Sequence, residues 1–599
     1  MSARINIIVV LIVGLFLTGL LLPVAISDNT VPAHILDGTP THVWTPTSGN
    51  LASTDANWDV AAAPALGDAV VFDAGSTACT WDLTTFVGNF SITAGYTGII
   101  TQTASFGIQS YYQLGGTFTG DVTKVLTDSG NFIQPAGTIT NAKLQLAMTG
   151  LDKIMNIMTT NYLRNVTFLD DITTFGDIKP IQLYIGAGVI LNNTYKFHYY
   201  PDYSYSHYLN LGTITGAGYF AFQFHGTTQY ILPGDIDCEV YAVNSPAAVN
   251  AKMILRGNTV FGGNLRVNDE DTGTTKTFTL DGNGSTVGVA GTLYVYRGGI
   301  IDQGTETWTL GAYNQYAGGA MDPVFNMKGN IISGDVNISD GTFNPKIDKT
   351  WTCSGSFNHT AGMLGTNLTL VMTGTDKYLQ VKIDSLKNLT INPGASIILG
   401  CNNIISNCVV NNGAIVQSGK RINITGSNMN PLTGNGTFDG NLYLSGATAL
   451  SYEIWIKSPM GYLHTDRETK INIWSTVTLH AWYVKIVPSE VGYMNVTIHN
   501  ETSIRLNESN PASHIDFTIS GLTWHNAYDI RSDGVLWDGY VEVDWGGYLN
   551  FTYDGNWTTG HDFLVEEITS NSDLFTLMVT IVILGCIFGL IGMVRGKML

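Results

Sequence analysis

Two short stretches of the 599-residue chain gather side chains that could do chemistry. Asn268-Asp269-Glu270-Asp271, with Asp281 further on, groups oxygen ligands of the kind Ca²⁺ takes, which makes Asp269, Glu270 and Asp271 the metal candidates. Four polar residues before Thr272-Gly273 also make an ordinary solvated turn, and that is the favoured reading. The second stretch crowds Tyr195, Tyr199, Tyr200, Tyr203, Tyr205 and Tyr208. Tyrosine rings stack on the apolar faces of sugars, so these six are the candidate binding residues; the competing reading is an exposed β edge. Twelve histidines are scattered without metal-ligand spacing. His525 and the His561-Asp562 pair sit beside aromatic residues and read as strand or loop positions. The chain carries no G-x-S-x-G elbow, phosphate-binding loop or dinucleotide fingerprint, so no catalytic residue is assigned and Ca²⁺ is the sole cofactor to consider.

The elements that must position these residues are strands. Gly 67, many Thr and Asn, and 11% aromatic residues favour strands and turns over helices. Charged residues make up 13% of the chain and the net charge is −19, which argues against a nucleic-acid partner because nothing would neutralise phosphates. The chain also repeats itself. LQLAMTGLDK at 144–153 matches LTLVMTGTDK at 368–377, and Gly116-Thr117-Phe118 matches Gly341-Thr342-Phe343. Leu163-Arg164-Asn165-Val166-Thr167 likewise matches Leu386-Lys387-Asn388-Leu389-Thr390, so 116–175 and 341–399 are two copies of one segment. Inside each copy, apolar alternation comes in pieces of strand length separated by Gly, Asn, Asp and Ser turns. A shorter period of about 20–25 residues, each unable to bury its own apolar face, predicts a stacked solenoid.

The opening segment adds to this: Trp44, Asn57-Trp58, Pro64, then Gly67-Asp68-Ala69-Val70-Val71-Phe72-Asp73. With the repeat, it resembles secreted right-handed parallel β-helix proteins of the adhesin and autotransporter-passenger type. Past 450 tryptophans concentrate, and runs such as Phe517-Thr518-Ile519 and Tyr548-Leu549-Asn550-Phe551 resemble immunoglobulin-like or fibronectin type III-like modules. The resemblance implies an all-β fold, a parallel β-helix solenoid at 28–449 followed by a β-sandwich at 450–568. Some solenoids of this kind are polysaccharide lyases or glycosidases, which place paired carboxylates on neighbouring coils.

Both ends of the chain are apolar. Residues 5–22, then Pro23, Ala25 and Ser27, read as a signal peptide at 1–27, either cleaved or kept as an anchor. Residues 574–594 are long enough to cross a bilayer as a helix, and Arg595 and Lys597 place the tail, 595–599, in the cytoplasm. Gly585 and Gly589 give that helix a close-packing face suited to a homo-oligomer. Asn-x-Ser/Thr acceptors at Asn89, Asn165, Asn192, Asn283, Asn358, Asn367, Asn423, Asn495, Asn500 and Asn556 are glycosylation candidates. Five cysteines lie outside the span, and Cys401 and Cys408 are either paired or buried as small hydrophobes. The expectation is a non-enzymatic adhesion, coat or spike protein of a cell surface or virion envelope, with glycans or other surface proteins as partners. The alternative is a tethered carbohydrate-active enzyme. Three carboxylates, or carboxylates with Arg, converging in a groove would favour the enzyme; a face of Thr, Asn and Tyr would favour binding.

Overall fold

Alternating apolar residues in runs of three to nine, closed by left-handed Gly, Asn and Asp, leave the chain little choice but short strands and tight turns. A computed structural model describes residues 42–568 except 158–161, 202–207, 225–226, 245–249, 270–275, 317–320, 426–431, 435, 445–451, 457–461, 466–468, 475–477, 482–483, 489–492, 501–502, 509–513, 521, 524–525 and 556–560, together with Ile583. The chain forms two units, 1–161 and 162–599. Both are built of parallel β-solenoid coils, as the repeat predicts.

In the first unit Val70 pairs with Phe90, Phe90 with Tyr111, Tyr111 with Phe132 and Phe132 with Met155, so each coil takes 20 to 23 residues. Like stacks on like: the Tyr111 and Phe132 rings lie parallel with centroids 4.4 Å apart, and both are fully buried. A second buried row runs Cys79, Ile100, Phe118, Ile139. The opening motif builds the end of this stack. Trp44 and Trp58 pack edge to face at 5.1 Å over Phe72. Asn57, fully buried, ties the loop: its Oδ1 accepts from the Thr47 and Ser48 amides at 3.2 and 2.9 Å, and its Nδ2 donates to Leu51 O at 3.0 Å. Polar side chains inside the coil do similar service. Gln113 Nε2 donates to the carbonyls of Gly115, Gly116 and Thr138, satisfying turns that would otherwise be buried unpaired.

The second unit continues the same logic. One buried row runs Phe197, Phe220, Val240, Leu265, Leu293, Tyr313, Val336, Phe357, Leu379 in unbroken parallel register. Parallel pairing extends past 449, the expected solenoid boundary: Asn441–Leu444 pairs with Tyr462–Thr465, and Leu463 with Leu479. It turns antiparallel where Leu479 meets Ile486. Strands Val484–Pro488, Ile515–Ile519 and Leu549–Tyr553 follow antiparallel, beside a seven-stranded sheet that holds His561–Glu567, Ala527–Ser532 and Val535–Glu542. Phe517 stacks on Phe551 at 4.6 Å and meets Phe563 of the other sheet at 5.0 Å. An immunoglobulin-like order is not what these pairings establish, since Tyr452–Ile456 and Thr469–Trp474 run parallel. Among the described residues no helix is long and apolar enough to cross a membrane. The expected signal peptide and membrane span lie outside the described residues, Ile583 aside.

The duplicated segment repeats in geometry as well as in letters. Asp152 and Asp376 both take left-handed φ, 53° and 55°, each before the Lys that opens a strand. The Thr149 amide donates to Asp128 O at 2.9 Å, and the Thr373 amide to Cys353 O at the same distance. A Cβ on Gly150 would lie 1.9 Å from Ser129 O, and one on Gly374 would lie 2.0 Å from Ser354 O. Recurrence of Asp-Lys therefore serves the turn. Gly374→Ala should lower the unfolding free energy measured in urea, whereas Asp376→Gly, at a residue already left-handed, should cost only the roughly 0.5–1.5 kcal/mol of the hydrogen bond its carboxylate accepts from Ser396 Oγ.

Asp128 stands at the position Cys353 takes in the second copy. It is fully buried, its Oδ1 accepts from the Gly130 amide at 2.8 Å and its Oδ2 has no partner. Burial pushes its carboxyl up to about 7, opposed by the amides of Gly130 and Tyr111. Between the ordinary carboxylate range and about 7 the folded state holds a proton that the unfolded chain has released. Stability contributed here is therefore lost as pH rises through that window. Asp128→Asn should consequently gain on the wild type from pH 4 to pH 8 in thermal melts; a gap independent of pH would contradict this.

Candidate functional site

In the second unit, the buried rows through Phe197 and Tyr199 flank an outward row one residue from each. Parallel register sets it as His198, Ala221, Tyr241, Arg266, Tyr294, Asn314, Asn337, Asn358 and Gln380. These residues come from strands Lys196–Tyr199, Thr213–Phe224, Asp235–Asn244, Leu265–Val267, Val287–Val295, Trp308–Gln315, Val336–Ile338, Phe357–His359 and Lys377–Val381. Because most inward positions are taken by apolar side chains, the residues between them are free to vary, and here they are aromatic at one end and amide at the other.

The aromatic end is continuous. Tyr219 and Tyr241 lie 5.0 Å apart, and the Arg266 guanidinium sits between the rings of Tyr241, at 5.5 Å, and Tyr294, at 4.7 Å. Beyond it Tyr294, Tyr296 and Tyr316 stack nearly parallel, with Tyr296 and Tyr316 at 5.2 Å and Tyr294 and Tyr316 at 6.0 Å. Arg266 is fixed by a fork of partners: Nε donates to Glu239 Oε1 at 2.6 Å, and Nη1 donates to Asp269 Oδ2 at 3.2 Å and to the Tyr296 hydroxyl at 2.6 Å. Two carboxylates on one guanidinium leave this end with a surplus of negative charge. Burial holds the Asp269 carboxyl above its ordinary range against the pull of Arg266, and burial beside Asp269 pushes the Tyr296 hydroxyl up to about 12.

Within this same end a cavity of about 190 Å³ is lined by His198, Tyr219, Ala221, Gln223, Tyr241, Val243 and Asp269. His198 is held in place by Gln223 Oε1 at 3.1 Å and the Tyr219 hydroxyl at 3.2 Å. Burial lowers its pKa, which disfavours the charged ring. The cavity thus offers an imidazole, an amide, a carboxylate and two phenol rings, a set that hydrogen-bonds hydroxyls and stacks on flat apolar faces.

Of the six tyrosines expected to bind, Tyr199 and Tyr208 are buried and pack together at 5.0 Å in the core, so their rings cannot meet a ligand from solvent. The period-2 alternation of the strand turns Tyr199 inward. Tyr195 is exposed, Tyr200 is half-buried against Tyr162 at 4.4 Å, and Tyr203 and Tyr205 lie outside the described residues. Of the metal candidates, Asp269 faces the cavity with its carboxylate on Arg266, while Glu270 and Asp271 lie outside the described residues. Among the described residues no three His, Cys, Asp or Glu side chains gather as metal ligands. Cys401 and Cys408 are free thiols, and Cys408 Sγ lies 3.2 Å from Asn388 Oδ1. His561 Nδ1 bonds Asp533 Oδ2 at 2.6 Å and clamps a turn. The candidate acceptors Asn89, Asn165, Asn192, Asn358, Asn367 and Asn423 are half-buried and Asn283 is exposed; side chains of Asn495 and Asn500, and all of Asn556, are outside the description.

Sequence reasoning missed Tyr219, Tyr241, Tyr294, Tyr296 and Tyr316, along with Arg266 and Glu239. The available signal was one outward position taken in turn by Tyr241, Arg266 and Tyr294 on successive coils, with Tyr219, Tyr296 and Tyr316 two residues off that column, rather than tyrosine density in one segment. Comparison of the chain with protein-family models, curated proteins and solved structures finds no match.

Arg266→Met should lower stability by about 1–3 kcal/mol by leaving Glu239 and Asp269 without their cation, with Arg266→Lys recovering only part because an ammonium lacks the fork. Urea melts at pH 7 check this, and an unchanged midpoint would contradict it.

Proposed function

We propose that the chain is a non-enzymatic surface protein, tethered by 574–594, whose solenoid holds a glycan against the outward tyrosine row. The observation that carries this reading is the run of Tyr219, Tyr241, Arg266, Tyr294, Tyr296 and Tyr316, brought together from five coils onto one outer face. Sugar rings present apolar faces to such rows and hydroxyls to the amides and carboxylates at their edges. The negative net charge of the chain and the surplus carboxylate around Arg266 favour neutral sugars over polyanions. Adhesion, coat formation and host attachment all use a surface of this kind.

A second reading has its own observation. Glu239, Asp269, Arg266 and Tyr296 converge on one point, and carboxylates beside an arginine are what a glycosidase or lyase employs. Binding is favoured over catalysis because both carboxylates are spent on the same guanidinium, which keeps them from acting as a free acid and base pair.

A glycan array probed with the full chain in detergent, with product release followed in parallel, separates the two. Binding without cleavage is expected, with Tyr294→Ala weakening it about tenfold or more. Glycan cleavage that disappears in Asp269→Asn would replace this proposal with the enzymatic one.

A further inference from the structure

Among the described residues the two most exposed aromatic side chains, Trp545 and Tyr540, lie elsewhere, at one end of the seven-stranded sheet. Val535–Glu542 is an edge strand among the described strands, and the tight turn that follows it carries Trp545, 85% exposed, between Tyr540 at 68% and Tyr548 at 46%. The turn is built rather than loose. Asp544 Oδ1 accepts from the amides of Gly546 and Tyr548, both at 2.9 Å, and the Gly547 amide donates to Asp544 O at 2.9 Å. Trp545 is thus held outward on a rigid tip, where the hydrophobic effect alone would have turned it in.

Register places this tip. Glu542 pairs with Ala527, and the Val543 amide donates to Asn526 O, so the turn starts level with Ala527. The Ile568 amide also donates to Ala527 O, and Tyr528 pairs with Glu567. The turn and the point where the chain leaves the sheet therefore share one end of it, about 10 Å apart across two strand spacings. The apolar run begins at Phe575, and the intervening chain reaches at most about 25 Å.

We propose that Tyr540, Trp545 and Tyr548 form an interfacial rim that rests in the headgroup layer of the membrane the chain is anchored in, fixing the sheet against the bilayer. This rests on reading 574–594 as a membrane span. Tryptophan and tyrosine settle at that depth because their rings are apolar and their N–H and O–H groups remain wet. Glu542, Asp544, Glu566 and Glu567 at the same end would repel anionic lipid, so the surface it fits is zwitterionic.

The full chain is reconstituted into phosphatidylcholine vesicles, with and without lipid brominated near the headgroup end of its acyl chains, and tested for flotation and tryptophan quenching. Trp545→Phe should remove a distinct part of the quenching. Trp537→Phe should not, because Trp537 is further along the edge strand, with its Nε1 donating to Thr552 O at 3.2 Å and its ring on Tyr553. A chain that floats while Trp545→Phe leaves quenching unchanged overturns the rim and leaves the span standing. Failure to float with vesicles overturns both.

Discussion

In-register stacking of parallel coils is the constraint on which everything else depends. Each coil is too small to bury its apolar side chains alone, so each must find a like coil above and below. The backbone pairing that achieves this also fixes the side chains: a residue and its counterpart 16 to 28 positions later stand one strand spacing apart, about 4.8 Å. Stacked Tyr111 and Phe132, and the buried row from Phe197 to Leu379, are direct consequences inside the coil. Outside it, the same register stacks Tyr241, Arg266 and Tyr294, with Tyr219, Tyr296 and Tyr316 two residues to either side of that column. Function on such a scaffold is written across coils, and residues remote in sequence become neighbours without any loop to gather them.

The interior adds a second requirement. Tight corners leave backbone carbonyls facing the core, and buried amides such as Gln113, Gln315 and Asn411 answer them. Where a carboxylate takes that place, at Asp128, it accepts from the Gly130 amide instead, and burial holds its carboxyl above the ordinary range. The duplicated copy solves the same corner with Cys353, whose thiol donates to Gly334 O and Gly355 O. The two copies thus preserve the corner while exchanging its chemistry.

Much of this architecture was legible in the sequence. The match of 144–153 with 368–377 predicted a repeated turn, and the left-handed Asp152 and Asp376 supply its physical reason. The coil length followed from turn spacing, and the Trp44, Asn57-Trp58 opening proved to be a packed end of the stack. The site was not legible in the same way. Six tyrosines within 195–208 drew attention by density, yet strand alternation buries Tyr199, and Tyr208 packs beside it. The row from Tyr219 to Tyr316 depends on register slips, such as the one between Val289 and Thr292, that no local pattern reveals. Past 450, the spacing of strands was visible but their direction was not. Parallel and antiparallel strands share one alternation, and only pairing tells them apart.

The claim that a single ligand spans several coils is tested most directly by hydroxyl-radical footprinting of tyrosines, with and without the tightest-binding glycan from the array. Simultaneous protection of Tyr219, Tyr241, Tyr294, Tyr296 and Tyr316, with Tyr230 and Tyr378 unchanged, is the result this account predicts. Protection confined to 195–208, or spread evenly over the solenoid, would contradict it.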